Sequence, residues 1–372
     1  MARLKNRVAL VCASSALVVL SACGGSDGGS ASSSGGTADV TGAKATIAPY
    51  VGQPSAFPIT EALATRPNGK KLAYMDCGTP ICGLFYTLAE PAAKALGMSL
   101  TRIKTGQAAD TVSSAFDTAA EGGYDGVFVP AIAPALWERG LDALKAKDIP
   151  VVTTGVTGGD ASKIDVQQVS DTNVAEAGKL VAAYVVAKND TDVNTVVYVT
   201  PELPFNQVFA DSFAKELTTL CPSCESRVAK IPVATLGNRA PSLITDDLQA
   251  HPDTKTAVFA VGEQANGLAA ALKTAGLDPE IIANSPTPET LGQIQNGDIE
   301  AGLGLDLPVI AWTAIDSLAR LTTGAEADPG ATADTPPMQF LTASDLKGDV
   351  SKGWTGYPDF GDRFTALWKD AS

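Results

Sequence analysis

From residue 70 onward, short runs rich in β-branched and aliphatic residues alternate with longer stretches whose apolar positions recur at helical spacing. Residues 72–75 read as a strand, and Leu84, Phe85, Leu88, Ala92, Ala95 and Leu96 then mark one face of a helix. A second strand is predicted over 100–103. The helix after it opens at Asp110-Thr111 and turns Val112, Ala115, Phe116 and Ala119 inward. Strands over 126–129 and 150–154, with a helix near 134–147 between them, complete a first set. The connections carry Gly, Pro or Thr rather than hairpin turns. Strands separated by helices in this way imply right-handed crossovers and a parallel sheet.

The pattern then restarts. Helices are predicted over 173–188, 205–217, 241–250, 267–275 and 288–296, alternating with strands over 195–200, 227–233, 257–261, 280–283 and 301–305. A last long helix runs over 308–321. The predicted fold class is α/β, with two doubly wound parallel-sheet lobes in series. Ligands of such sheets bind outside the carboxyl ends of the strands, which for two facing lobes means the cleft between them. Residues 325–337 read as a loop. The aromatics of the tail, Trp354, Tyr357, Phe360, Phe364 and Trp368, read as apolar cover, with a contact to ligand or partner as the alternative.

The N-terminus places this double sheet outside the cytoplasm. Arg3, Lys5 and Arg7 precede an apolar run over 8–20 that is too short for a stable membrane span. Leu20-Ser21-Ala22-Cys23 follows and resembles a bacterial lipobox, which makes 1–22 a lipoprotein signal peptide and Cys23 the lipidated residue. An ordinary signal peptide cut nearby, or a short anchor, is the alternative. Residues 23–45 are Gly- and Ser-rich and are expected as a flexible leash. The net charge of −14 becomes −17 once 1–22, with three cations and no acid, are removed. An acidic chain of this kind argues against nucleic acid and against anionic lipid surfaces, so membrane contact is expected through the lipid anchor only. The remaining four cysteines fall into two local pairs, Cys77 with Cys82 and Cys221 with Cys224, read as short-loop disulfides of an oxidising compartment. Cys221-Pro-Ser-Cys224 also has redox or metal spacing. A closed zinc site needs more ligands than a chain with one His offers, and a catalytic dithiol opens a helix where this pair follows one.

Catalytic and nucleotide-binding patterns are missing. The chain has no phosphate-cradling GxxxxGK[ST], no GxGxxG after a strand and no GxSxG elbow. The lone His251 sits at a helix-to-strand corner and reads as a turn residue. Glu263 and Asp306 form a conceivable hydrolase pair, but cleft carboxylates in an acidic protein are usually not catalytic. No enzyme activity, cofactor or metal is expected.

Three stretches carry a resemblance. LQAHPDTKTAVFAVGEQANGLAAALKTAGL (248–277) reads as helix, His-Pro-Asp corner, strand and helix. VSDTNVAEAGKLVAAYV (169–185) and NSPTPETLGQIQNGDIEAGLGLDLP (284–308) flank the second repeat. Their order and spacing resemble the type I periplasmic-binding proteins of the ribose and galactose receptor kind over about 68–325. The resemblance implies hinge-linked lobes, 68–167 plus 307–340 and 168–306 plus part of 341–372. Crossings are expected near 167–171, near 305–308 and in the tail. It also implies an extracytoplasmic solute-binding component of an ABC importer, expected as a monomer, with a membrane permease as partner. A ligand sensor docking to a membrane signalling protein is the alternative.

The resemblance departs from the sugar receptors at the positions that commonly hold sugar. Their first-turn aromatics are replaced by Thr79-Pro80-Ile81-Cys82, and an Asp-Arg pair by Gly155-Val156. Gln207 stands where an Arg is common, Ser285 for an Asp, and Asp306 for a Gln. The expected site comprises Asp76, Thr79, Ile81, Phe85, Pro130, Ala131, Gly155 and Thr157 from the first lobe. From the second come Phe205, Asn206, Gln207, Glu263, Gln264, Asn266, Asn284, Ser285 and Asp306. An amide and carboxylate set without Arg points to a small neutral or cationic solute rich in donors: sugar-like, polyol, nucleoside or amine.

Overall fold

The computed structural model describes residues 38–189, 193–332 and 337–372. The expected signal peptide, Cys12, Cys23 and most of the expected leash lie outside the described residues.

The first lobe is built on β1 and its neighbours. In chain order helix α1 (Val40–Ile47) is followed by β1 (Lys71–Asp76), α2 (Pro80–Ala95), β2 (Ser99–Lys104), α3 (Ala109–Glu121), β3 (Gly126–Pro130), α4 (Glu138–Lys145), β4 (Val151–Thr154) and β5 (Val166–Gln168). The strands form a parallel sheet in the order β2-β1-β3-β4-β5. The second lobe takes α5 (Asp171–Lys188), β6 (Asn194–Val199), α6 (Phe205–Leu220), β7 (Glu225–Lys230), α7 (Ala240–Ala250), β8 (Thr256–Phe259), α8 (Leu268–Ala275), β9 (Glu280–Asn284), α9 (Pro288–Asn296) and β10 (Ala301–Leu305). After α10 (Leu307–Leu321) come β11 (Met338–Leu341) and α11 (Phe360–Trp368). The second sheet runs β11-β10-β9-β8-β6-β7, parallel except for β11, which pairs antiparallel with β10.

Burial follows position in the sheet. Central β3 is buried at every residue, as a strand covered by helices on both faces must be. Edge strands β2 and β7 expose most of theirs. In the second lobe α5 packs closely on α6: a Cβ on Gly178 would lie 2.3 Å from the carbonyl oxygen of Phe209, so only glycine permits this approach.

The short elements differ from the sequence reading. Residues 40–45, expected as leash, belong to α1, whose Ala43 is buried against the second lobe. Strands β5 and β11 were not anticipated, and 338–340 join the second sheet rather than the first lobe. Tail residues Tyr357, Phe364 and Trp368 pack into the first core, where Trp368 stacks on Trp312.

The chain therefore passes between the lobes at five places. After α1, in the second core, residues 57–63 enter the first. Further passages lie at Val169-Ser170, at Asp306, between α10 and β11, and at Thr355-Gly356. Asp306 ties three of them together. Its backbone N–H donates to the carbonyl of Pro337, its Oδ1 accepts from the N–H of Val309 at 3.1 Å, and its Oδ2 accepts from Thr355 Oγ1 and Gly356 N.

Candidate functional site

Both sheets reverse strand order beside their first strand: β1 has β2 on one side and β3 on the other, and β6 has β7 and β8. Crevices at such switch points are where doubly wound sheets bind ligands. The turns after β1 and β3 and those after β6 and β8 meet across the cleft.

Between them lies a cavity of about 70 Å³. From the first lobe it is lined by Ile81, Cys82 and Phe85 at the start of α2, by Pro130 and Ala131 after β3, and by Thr154 and Gly155 after β4. The second lobe supplies Phe205, Val261, Asn284 and Ser285. The passages between lobes supply Val169, Leu305 and Leu307, and the neighbouring elements add Asn173, Val174, Ala177 and Met338. No Asp, Glu, Lys, Arg or His lines it among the described residues.

Ala131, Val169 and Ser285 all adopt left-handed backbone, with φ of 48°, 49° and 48°. That conformation is costly for a side chain, most of all for a β-branched one, and strain of this kind gathers where a ligand is gripped. The first turn is held by the Cys77–Cys82 disulfide, whose Cα atoms lie 5.8 Å apart. Cys221–Cys224 closes the turn between α6 and β7.

Of the expected site residues, Ile81, Phe85, Pro130, Ala131, Gly155, Phe205, Asn284 and Ser285 line the cavity. The polar ones mostly do not: most turn to partners inside the protein, although Asn206 Nδ2, Glu263 Oε1 and Thr157 Oγ1 are buried without one. Asp306 is the fully buried hinge tie described above, where burial raises its pKa to about 6 against the hydrogen bonds that favour its charge. Asn206 and Gln264 form a buried network: Asn206 Oδ1 accepts from the N–H of Thr200 and from Gln264 Nε2, which also donates to Thr200 Oγ1. Asn266 Oδ1 accepts from the hydroxyls of Thr287 and Thr290. Gln207 is exposed and pairs with Asp211 one helical turn on. Asp76 accepts from Arg102 Nε at 2.7 Å and from the N–H of Gly78. Thr157 is buried and is not part of the cavity lining.

Glu263 joins the lobes. Its Oε2 accepts from the N–H of Ile81 at 3.1 Å, beside the Thr79 hydroxyl, and so serves one of the free donors of the first turn of α2. Its Oε1 is buried without a partner. Burial pushes its pKa up to about 7, opposed by those hydrogen bonds.

Sequence reasoning missed Asn173, Val174 and Ala177 on α5, Val169, Leu305, Leu307 and Met338, and also Cys82, Thr154 and Val261 beside expected residues. Val169, Asn173, Val174, Ala177, Leu305 and Leu307 stand on the passages between lobes or on the two helical turns after them, and proximity to a hinge was the available signal. Met338 comes to the cavity through β11, which no periodicity announced. His251 lies outside the cavity lining, with Nδ1 2.8 Å from the carbonyl oxygen of Asp247 at the end of α7.

No curated protein matches the chain. Among solved structures, the glucose-galactose binding protein GanP of Geobacillus stearothermophilus is 17% identical. It covers 76% of this chain and 100% of its own, with a TM-score of 0.65. A solute binding protein of Burkholderia graminis in complex with D-arabinose is also 17% identical, over 76% and 98%, with a TM-score of 0.65. A carbohydrate transporter of Acidothermus cellulolyticus in complex with myo-inositol is 16% identical, over 80% and 99%, with a TM-score of 0.64. All three share this fold. The periplasmic binding protein domain family matches residues 79–326, and with two sheets, a multiply crossed hinge and a cavity at their switch points, the chain belongs to that family of non-enzymatic solute-binding proteins.

Proposed function

We propose that this chain is an extracytoplasmic solute-binding lipoprotein, anchored through Cys23, that captures a small uncharged molecule between its lobes and delivers it to a membrane permease of an ABC importer. The cavity carries this reading. It is lined from both lobes at once, so closing the hinge completes it and opening the hinge dismantles it. Glu263 of one lobe against Ile81 of the other makes the closed arrangement a definite one. Among the described residues no helix is long and apolar enough to cross a membrane; the anchor is read from Leu20-Ser21-Ala22-Cys23 alone.

Replacing Cys23 with Ala is expected to move the protein from the membrane to the soluble fraction, or to stall it as unprocessed precursor, with the two lobes folded. Lipid labelling that persists in Cys23→Ala would refute the anchor. Genes for a permease and an ATPase are expected beside this one; a kinase or chemoreceptor gene in their place would favour a sensor.

A further inference from the structure

Resting on the receptor reading, we infer that the ligand is a compact, uncharged molecule with a mainly hydrocarbon or aromatic body and one or two oxygen functions, a phenol or a cyclic alcohol or ketone, and not a free sugar or polyol. The wall composition carries this. Phe85 of one lobe and Phe205 of the other contribute rings, and Val169, Val174, Leu305 and Leu307 contribute branched apolar side chains. Charged side chains near the cleft turn elsewhere: Asp76 to Arg102, Asp306 to the hinge, Glu263 to the start of α2.

The polar side chains at the wall are few and uncharged: Thr154, Asn173, Asn284 and Ser285. Asn284 has one end in use, its Nδ2 donating to the carbonyl of Ala260 at 3.0 Å. A sugar buries a hydroxyl on nearly every carbon, and each one left unpaired loses its water without a replacement. Charged and bidentate partners that would satisfy adjacent hydroxyls are not at this wall. An apolar ring with a single oxygen function loses little by burial here: a hydroxyl can donate to Asn284 Oδ1, and a hydroxyl or carbonyl oxygen can accept from the Ser285 hydroxyl. A cation would meet no carboxylate at the wall, and an anion no Arg or Lys, with the Glu263 carboxyl already on the first turn of α2.

The experiment is titration calorimetry of the mature protein with two panels: phenol, cyclohexanol and cyclohexanone in one, and glucose, galactose, arabinose and myo-inositol in the other. Saturable binding is expected in the first panel and none in the second. Phe205→Ala should weaken the first panel by about tenfold or more. Val174→Thr keeps the shape of the wall while adding a hydroxyl, and should weaken it to a lesser degree in a protein that melts as the wild type does. Saturable sugar or polyol binding that Phe205→Ala abolishes would overturn the ligand class and leave the cleft receptor standing. Binding in the first panel that neither substitution alters would place the ligand elsewhere and overturn the cleft reading with it. No heat from the first panel overturns the inference whatever the second shows.

Discussion

Glu263 is a carboxyl whose ordinary pKa of 4.5 is raised to about 7 by burial between the lobes. Over that interval the folded, closed protein holds a proton that the unfolded chain has released. Stability from this group is therefore full below pH 4.5 and falls as the pH rises through 7, by a total on the order of 3 kcal/mol. Opening the lobes exposes the carboxyl as unfolding does, so acid favours the closed form. Thermal melts of wild type and Glu263→Gln across pH 4–8 are expected to show a decline with pH of which the variant loses about half. Asp306, raised to about 6, accounts for the slope that remains. Parallel slopes in the two proteins would contradict the assignment. At this scale the sequence was a poor guide. It marked Glu263, Gln264, Asn206 and Asp306 as polar groups near strand ends, where a ligand contact and a buried structural hydrogen bond look alike.

Among the elements, α11 shows how far an apolar tail extends the first core. Trp368 is buried, its ring stacks on Trp312 at 5.5 Å, and its Nε1–H donates to Asp316 Oδ1 at 2.7 Å. Asp316 also accepts from buried Arg320, so the indole completes a closed polar group under the helix. Trp368→Ala is expected to cost about 3–5 kcal/mol in denaturant melts, because it opens a cavity and strips a buried carboxylate of a donor. Trp368→Phe keeps the stacking and should cost less, about 1–3 kcal/mol. Equal losses in the two would mean that the hydrogen bond contributes everything and the packing nothing. The long helices and central strands were legible in the sequence, since burial on one face or both imposes a period on ten or more residues. Strands β5 and β11 are too short to show a period, and their pairing is made by β4 and β10, far away in sequence.

For the whole molecule the hinge is the governing feature, and Asp306 is its knot. Asp306→Ala removes the cap of α10, leaves the Gly356 N–H without its acceptor and leaves the Thr355 hydroxyl with only the Tyr357 carbonyl. The expected loss is about 2–4 kcal/mol of stability, with any ligand effect following from a looser hinge. Asp306→Asn keeps one acceptor oxygen and should fall between. Equilibrium melts with parallel binding measurements check this. A variant that melts as wild type yet loses its ligand would return Asp306 to the binding site.

Two α/β repeats and the cleft between them followed from local sequence, because alternation of strand and helix and crossover handedness are short-range properties. The two disulfides were readable for the same reason, each closing a turn between near neighbours. Tertiary structure alone decided which polar residues face the cavity. A carboxylate or amide at a strand end serves whichever donor comes nearest, and for Asp306 those donors are Thr355 and Gly356, some fifty residues along the chain. The apolar character of the cavity emerged only when the passages between lobes brought Val169, Leu305 and Leu307, and β11 brought Met338, to its lining.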